Sequence, residues 1–212
     1  SEIQVDLDNL VDYNSTDSVF NPIQMEAAAE PELHPIKALA VEGLSDPELL
    51  SAVNEGFSAM SSENWELASY KFNKVARTGK GGAAALNNYG LALLQKAIEV
   101  FETGDGIEKA LVDSQFEAAI FALRQAAQIE GQRSEILYNL AIALHRTAFY
   151  DKSMIVFDTL LQRDGPSPHV LNAKAVLLES KGDFEGAKKL LYQAINDSPS
   201  DEIIKSNFPV VG

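Results

Sequence analysis

Residues 168–201 read PHVLNAKAVLLESKGDFEGAKKLLYQAINDSPSD, and this stretch decides the fold. A small residue, Ala175, is followed twelve positions later by Ala187, and the large residue Leu191 comes four positions after that. An aromatic residue stands three positions ahead of Ala187. Apolar residues recur at helical spacing on both sides of the turn sequence Lys181-Gly182-Asp183. The pattern predicts two helices joined by a tight turn.

The same spacing occurs in three further places ahead of this stretch. It begins at Gly56 and at Ala141, and the second half of another copy, which begins at Gly90, comes 17 residues late. With that insertion removed, successive copies lie 34 residues apart, which is the mark of a repeat protein. The chain therefore divides into blocks at 49–82, 83–133, 134–167 and 168–201.

Small side chains at these places predict where the two helices of each block cross. Gly56 facing Ala68, or Ala175 facing Ala187, would let two helix backbones approach closely. The large residues are then expected to fill the gap to the next block: Trp65, Phe72, Phe157 and Phe184. Each block is therefore predicted to be an antiparallel helical hairpin.

These residues resemble the tetratricopeptide repeat superfamily. In the last block, Ala175, Ala187, Pro199 and the run Lys181-Gly182-Asp183-Phe184 stand as in the family motif. In the second block, Asn87-Asn88-Tyr89-Gly90 is similar to the Asn-Leu-Gly segment of the family. The chain departs from the motif at the insertion, at Ser153 where Ala is usual, and at three places where a helix-ending Pro is usual: Lys80, Gly131 and Gly165.

The resemblance implies an all-α fold, a right-handed superhelical solenoid of four hairpins in which the second hairpin is elongated. We expect an acidic, largely non-regular N-terminal arm and linker at 1–44, the repeat array at 45–201, and a short C-terminal cap or tail at 202–212. Ser45-Asp46-Pro47-Glu48 is expected to cap the first helix, and Ser167-Pro168 to open the last block.

The insertion, residues 97–113, predicts that both helices of the second hairpin run about two turns beyond the usual length. They would meet near Gly104 and Gly106. Val100 and Phe101 are then candidates for a second contact with a partner. The alternative is that apolar residues of the extension only hold its two helices together: Ile98, Phe101, Ile107 and Leu111.

In tetratricopeptide repeat proteins the first helix of each hairpin lines a concave face where partner peptides bind, and the resemblance implies the same here. Asn54, Asn88 and Asn139 take the same place in three blocks, and Ala173 interrupts the series. A carboxamide is both donor and acceptor, so a ladder of asparagines can pair with the backbone of an extended guest without reading its sequence. The alternative is that asparagine is simply common in the motif and stabilises neighbouring hairpins.

Helical spacing adds further residues to this predicted groove. Its proposed members are Asn54, Asn87, Asn88, Leu91, Leu94, Gln95, Tyr138, Asn139, Ile142, His145, Arg146, Asn172, Val176 and Glu179. Apolar residues mixed with amides favour an extended or amphipathic segment of another protein as the guest. A groove for a C-terminal carboxylate would need clustered Lys and Arg, whereas Val53, Phe57 and Met60 stand there in the first block.

The net charge of −14 is unevenly distributed, since residues 1–36 hold eight acidic residues and no Lys or Arg. An acidic chain lacks the cationic face that nucleic acids and anionic membranes require, and no apolar run is long enough to cross a bilayer. Because no secretory signal is visible at the start, a cytoplasmic location is expected, and a cleaved or trimmed export signal is the open alternative. The acidic arm has three open roles: occupying the groove of its own array, binding a second partner, or serving as an inert tail.

No pattern of catalytic residues is visible. His34, His145 and His169 are scattered, and the run 78–82 lacks the earlier glycine and the hydroxyl of a phosphate-binding loop. The sequence therefore predicts no catalytic residue, metal or cofactor, and it favours a non-catalytic interaction module, an adaptor or an assembly chaperone. The alternatives are a self-associating scaffold whose arm occupies its own or a neighbour's groove, a homodimer through the C-terminal end, and a cryptic enzyme.

Overall fold

A computed structural model describes residues 30–211 of the chain, except for the side chains of residues 108 and 109. These residues form two compact units. The first unit comprises residues 37–143, and the second comprises residues 30–36 together with 144–211. Residues 1–29 of the predicted acidic arm lie outside the described residues. The division of the chain at 44 and 201 stays a prediction.

The first unit is built of consecutive helices, and the first two of them begin at side-chain caps. The carboxylate of Asp46 accepts a hydrogen bond from the Glu48 N–H over 2.9 Å, and Asn64 accepts one from Leu67 over 3.1 Å. Asp46 is therefore the cap within the predicted capping sequence. The helices are α1 (Pro47–Ser61), α2 (Trp65–Ala76), α3 (Gly82–Thr103), α4 (Gly106–Ala110), α5 (Val112–Ile129) and α6 (Ser134–Arg146), whose last three residues belong to the second unit.

Small residues do mark the helix crossings of the first unit, but their partners differ in part from the prediction. Gly56 faces the ring of Phe72 instead of Ala68, since a Cβ added at Gly56 would lie 2.9 Å from that ring. Ala68 instead packs with Ala59 and Ala92, nearer the turn of the hairpin. The crossing of α1 and α2 thus lies about one helical turn from the predicted place. The ring of Phe72 packs against Gly56, where there is no side chain to exclude it.

The second hairpin is elongated, as predicted, although its two helices are not equally regular. α3 runs unbroken for 22 residues to Thr103, whereas the returning chain forms the five-residue α4 and breaks at Leu111 before α5 begins. Ile107 and Leu111 are 79% and 57% exposed, so they do not join the two helices as the sequence pattern suggested. Val100 and Phe101 are half-buried on α3.

The second unit continues the helical order with α7 (Tyr150–Asp164), α8 (Pro168–Ser180), α9 (Phe184–Asp197) and α10 (Glu202–Asn207). Gly182 turns the chain between α8 and α9 with φ of 82°, a left-handed conformation that glycine adopts without strain. Asp183 then caps α9 by accepting from the Gly186 N–H. Ser167 and Pro168 open α8 as expected. The turn and the start of α8 therefore lie where the sequence predicted them, although the Ser167 side chain forms no capping hydrogen bond.

The core of the second unit lies where α8, α9 and α10 meet. Its buried residues are Leu171, Ala175, Ala187, Leu191, Ala194, Ile204 and Val211. Phe157 of α7 is fully buried, but Phe184 is 47% exposed and does not fill the gap to a following block as predicted. It stands in the first turn of α9, while the end of the unit is covered by α10 and by Phe208, which contacts Tyr192 edge-on.

Within residues 30–211 the regular structure is entirely helical, and three pairs of helices pack as hairpins: α1 with α2, α3 with α5, and α8 with α9. This confirms the predicted all-α fold of helical hairpins. The total of four hairpins and the hand of the superhelix stay predictions.

The close approach of α3 and α5 at Gly90 leads to a testable prediction. A Cβ at Gly90 would lie 2.7 Å from Cγ of Leu123 and 3.2 Å from the Ala119 carbonyl oxygen. We expect Gly90→Val to lower the free energy of unfolding by about 1–3 kcal/mol, because overpacking forces the two helices apart. Chemical denaturation measures the change. Gly106→Ala is the control, since nothing lies within 4 Å of the added Cβ there, and equal losses in both variants would contradict the prediction.

Candidate functional site

A stretch without helix or strand, residues 30–46, leads into α1. We call its residues 30–41 the front segment. Residues 37–41 belong to the first unit and residues 30–36 to the second. Each part is bound by asparagine side chains of its own unit.

In the first unit, Asn88 of α3 pairs with the backbone of Leu39. The Leu39 N–H donates to Oδ1 of Asn88 over 2.7 Å, and Nδ2 of Asn88 donates to the Leu39 carbonyl over the same distance. Extended backbone presents the N–H and C=O of one residue to the same side, as in a paired strand. The two bonds therefore indicate an extended front segment at Leu39.

Two residues earlier, Lys37 is bound in the same manner by Asn139 of α6. The Lys37 N–H donates to Oδ1 of Asn139 over 3.0 Å, and Nδ2 of Asn139 donates back to the Lys37 carbonyl over 2.9 Å. Asn87 of α3 donates a further hydrogen bond to that carbonyl over 3.1 Å. Asn139 also donates to Oδ1 of Asn87 over 2.8 Å, which fixes the orientation of both amides. We call Asn87 and Asn139 the first clamp.

The second unit contains a pair of asparagines with the same bonding pattern. The Glu32 N–H donates to Oδ1 of Asn207 over 2.6 Å, and Nδ2 of Asn207 donates to the Glu32 carbonyl over 2.8 Å. Asn172 of α8 donates to the same carbonyl over 3.0 Å. Asn207 also donates to Oδ1 of Asn172 over 2.7 Å. We call Asn172 and Asn207 the second clamp.

The two clamps occupy equivalent positions in the repeat. Asn87 and Asn139 are 52 residues apart, and Asn172 and Asn207 are 35 apart. The 17-residue insertion at 97–113 accounts for the difference, since 52 minus 17 is 35. A clamp therefore joins the fifth residue of one block to the sixth residue of the next block.

Asn207 is the functional residue that the sequence analysis missed. The repeat register contained the signal, because Asn207 lies 34 residues after Ala173, where the asparagine series appeared to stop. The series resumes in the C-terminal cap, beyond the last complete block. At the opposite end, Asn54 takes the same place on α1 but is exposed to solvent.

Burial makes the front segment and the asparagines depend on each other. The side chains of both clamps and of Asn88 lie in the interior, with none of the clamp residues more than 1% exposed. A buried polar group that loses its hydrogen-bond partner costs about 1–3 kcal/mol. The front segment supplies partners to these amides, and the amides supply partners to its backbone.

The side chains of the first-unit part of the front segment are recognised much less than its backbone. Lys37, Ala38 and Ala40 are exposed, whereas Leu39 is only 5% exposed. Val41 is half-buried against the core cluster at the start of the unit, which contains Leu49, Ala52, Val53, Phe72, Val75 and Ala85. Apolar contact is therefore confined to Leu39 and Val41 among these five residues.

The second-unit part of the front segment adds contacts to two charged side chains, Asp201 and Arg146. His34 Nε2 lies 2.7 Å from Oδ2 of Asp201, and the Glu30 carboxylate lies 3.8 Å from the guanidinium of Arg146. Burial opposes ionisation of the Asp201 carboxyl, but hydrogen bonds from His34 and from the Ile204 N–H outweigh it and lower its pKa. The carboxylate of Asp201 is thus available to the His34 ring.

The other predicted groove residues fall into two groups. Leu91, Leu94, Tyr138, Ile142 and Val176 are buried. Gln95, Arg146 and Glu179 are half-buried, and burial followed by the charge of Glu30 raises the pKa of the Glu179 carboxyl. Among the predicted groove residues, four asparagines bond to the front segment, namely Asn87, Asn88, Asn139 and Asn172, and Arg146 forms an ion pair with it.

His145 is packed inside the second unit, with 6% of its surface exposed. Its Nε2 lies 3.0 Å from the Ser180 hydroxyl, and its ring meets Tyr150 edge-on at 5.8 Å. Nδ1 is buried and has no hydrogen-bond partner among the described residues. Burial, reinforced by the neighbouring charge of Arg146, lowers the pKa of His145 to about 3, so the ring is neutral at physiological pH.

In the part of the chain that the structure covers, no group of three or more His, Cys, Asp or Glu residues could hold a metal ion. None of the described helices has the length and apolar character that crossing a membrane requires.

A family model supports the repeat interpretation over part of the chain. Residues 110–177 match the family model described as tetratricopeptide repeat, which confirms the superfamily predicted from the sequence. No curated protein matches the chain. A crystal structure of a thermophilic tetratricopeptide repeat protein from Thermus thermophilus is similar, with a TM-score of 0.45 and 14% identity over 77% of this chain and 98% of that chain. Tetratricopeptide repeat proteins are generally interaction modules without catalytic activity.

The second clamp can be tested by removing the asparagine that the sequence analysis missed. We expect Asn207→Ala to lower the free energy of unfolding by about 1–3 kcal/mol, because Asn172 and the Glu32 backbone lose hydrogen-bond partners. Amide hydrogen exchange at Glu32 should become faster. Asn196→Ala on the exposed face of α9 is the control. Unchanged exchange at Glu32 in Asn207→Ala would contradict the assignment of this clamp.

The burial of His145 predicts a pH dependence of stability. The ring binds a proton at about pH 6.5 when unfolded but only near pH 3 when folded, so the unfolded state takes up the proton first. This contribution to stability is complete above pH 6.5 and is lost as the pH falls towards 3. By pH 5 the loss is about 2 kcal/mol. In urea unfolding at pH 8 and pH 5, His145→Gln should lose less stability than wild type by that amount. Identical losses would show that His145 is not buried in its neutral form.

Proposed function

We propose that this tetratricopeptide repeat chain is a non-catalytic interaction module, an adaptor or assembly chaperone, that holds an extended segment of a partner protein by its backbone. The observation that supports the proposal is the pairing of one carboxamide with both polar groups of one backbone residue. Asn88 forms this pair with Leu39, Asn139 with Lys37 and Asn207 with Glu32.

The chemistry of these asparagines suits a guest whose sequence varies. Every residue except proline carries the same N–H and C=O groups, so a carboxamide that pairs with both does not select a side chain. Because the amides are buried, their hydrogen bonds form away from competing water, and leaving them without partners is costly. An extended polypeptide is the ligand that satisfies them most completely.

A second candidate function is a self-associating scaffold. The front segment of this chain already forms the bonds described, and the same segment of a neighbouring copy could form them equally well. Exchange between copies would produce a dimer that depends on the asparagines. Sedimentation of the variants in the peptide-binding test distinguishes the two functions. A scaffold would sediment as a dimer, whereas a module that binds other proteins would remain monomeric.

The proposal can be tested with a fluorescent peptide that has the sequence of residues 30–42. The full-length chain first receives Leu39→Asp, which weakens the hold on its own front segment. Adding Asn88→Ala and Asn139→Ala should then reduce the affinity for the peptide at least about tenfold. Four backbone hydrogen bonds are lost at about 0.5–1.5 kcal/mol each, and 1.4 kcal/mol corresponds to a factor of ten. Fluorescence polarisation measures the affinity.

The matched control is Asn54→Ala in the same Leu39→Asp chain. Asn54 occupies the equivalent place in the repeat but is exposed, so its removal should leave the affinity within about twofold. Circular dichroism establishes that all three chains are folded. Equal affinity of the double asparagine variant and the control would refute backbone recognition by these residues.

A further inference from the structure

The partner can be described by chemical class if the proposed function is correct, because the front segment occupies the site that the partner would use. The bonds at Lys37 and Leu39 show which features of an occupant the first unit recognises. Side-chain burial shows which of its residues are selected. The inference below rests on the proposed function and specifies its ligand.

Backbone recognition in the first unit follows a two-residue period. Asn139 and Asn87 bind Lys37, and Asn88 binds Leu39. A period of two is that of extended chain, in which alternate residues present their polar groups to the same side. The occupant must therefore be extended over at least three residues, and neither of the two bound residues can be proline, since both donate an N–H.

Side-chain recognition in the first unit is restricted to aliphatic groups. Leu39 is buried, and Val41 packs partly against the core cluster of the unit. Lys37, Ala38 and Ala40 are exposed and leave their positions open to other residues. The selected pattern is thus an aliphatic residue at the place of Leu39 and a second aliphatic residue two positions later. The positions of Lys37, Ala38 and Ala40 accept other side chains.

We infer that the first unit binds partner segments of this class, extended and with a leucine-like residue at the place of Leu39, and that residues 37–41 compete with them for Asn88 and the first clamp. Competition follows from chemistry, because the backbone bonds of Lys37 and Leu39 can be formed by any extended segment. The chain's own segment has the advantage of being tethered, since only residues 42–46 separate it from α1. A partner is therefore admitted when it replaces residues 37–41.

The first experiment measures competition in full-length chains. The labelled peptide of residues 30–42 is titrated into wild type and into the Leu39→Asp variant, whose own segment places a charge at the buried position. The variant should bind the peptide at least about tenfold more tightly, because its tethered competitor is weakened. Equal affinities in two folded chains would overturn the competition.

The second experiment measures selectivity with altered peptides on the Leu39→Asp chain. A peptide with aspartate at the place of Leu39 should bind at least about thirtyfold more weakly, since it exchanges a buried aliphatic group for a charge. A peptide with serine at the places of Lys37, Ala38 and Ala40 should bind within about threefold of the parent, because those side chains are exposed. Equal binding of the aspartate peptide, or loss of binding by the serine peptide, would overturn the assigned class.

A third measurement needs no variant and covers the case in which Leu39→Asp does not fold. Excess unlabelled peptide is added to wild type, and amide hydrogen exchange is followed over residues 37–41. The Leu39 amide of the chain should exchange faster, because the bound peptide takes its place at Asn88 and leaves that N–H open to water. Bound peptide with unchanged exchange at Leu39 would overturn the replacement.

These outcomes separate the inference from the proposed function. If no peptide binds any folded chain, the proposed function itself fails. If peptides bind through Asn88 and Asn139 but the aspartate and parent peptides bind equally, the interaction module stands and the leucine-selective class is wrong.

Discussion

Backbone N–H and C=O groups that leave water must find partners, and the asparagine carboxamide can serve both groups of one residue at once. The front segment contains no helix or strand that would satisfy its backbone internally. Asn88, Asn139 and Asn207 provide those partners instead. Because the carboxamides are themselves buried, the requirement applies in both directions, and this mutual dependence underlies the candidate site in each unit.

The helical repeat brings the asparagines to the places where they can act. Small residues such as Gly90 let neighbouring helices approach closely, and such residues recur at the same place in successive blocks. In both clamps the fifth residue of one block then lies within hydrogen-bonding distance of the sixth residue of the next, as Asn87 and Asn139 do at 2.8 Å. The insertion at 97–113 does not disturb this relation, because it lengthens the hairpin at the end remote from the clamp.

Recognition through backbone groups has a functional consequence. It supplies affinity without selecting a sequence, so selectivity rests on the few side chains that are buried, of which Leu39 is the clearest in the first unit. A module of this kind can accept varied partners that share an extended shape and one aliphatic residue. The same property makes a tethered segment of its own chain an effective competitor, since the bonds it forms are those that any extended guest would form.

The amino-acid sequence by itself determined the helical hairpins, the superfamily, the elongated second hairpin and the asparagine series. Each of these follows from the spacing of particular residues within one block or between adjacent blocks. Tertiary structure alone decided that Asn88 and Asn139 hold the chain's own front segment, that Asn54 remains exposed, and that Asn207, one repeat after Ala173, binds the backbone of Glu32. It also decided that Ile107, Leu111 and Phe184 stay in solvent. The physical reason is the length of chain involved. The hydrogen bonds to the front segment join pairs of residues whose separations in the sequence are 49, 102 and 175 positions. Local periodicity does not indicate which distant residues will satisfy one another's polar groups.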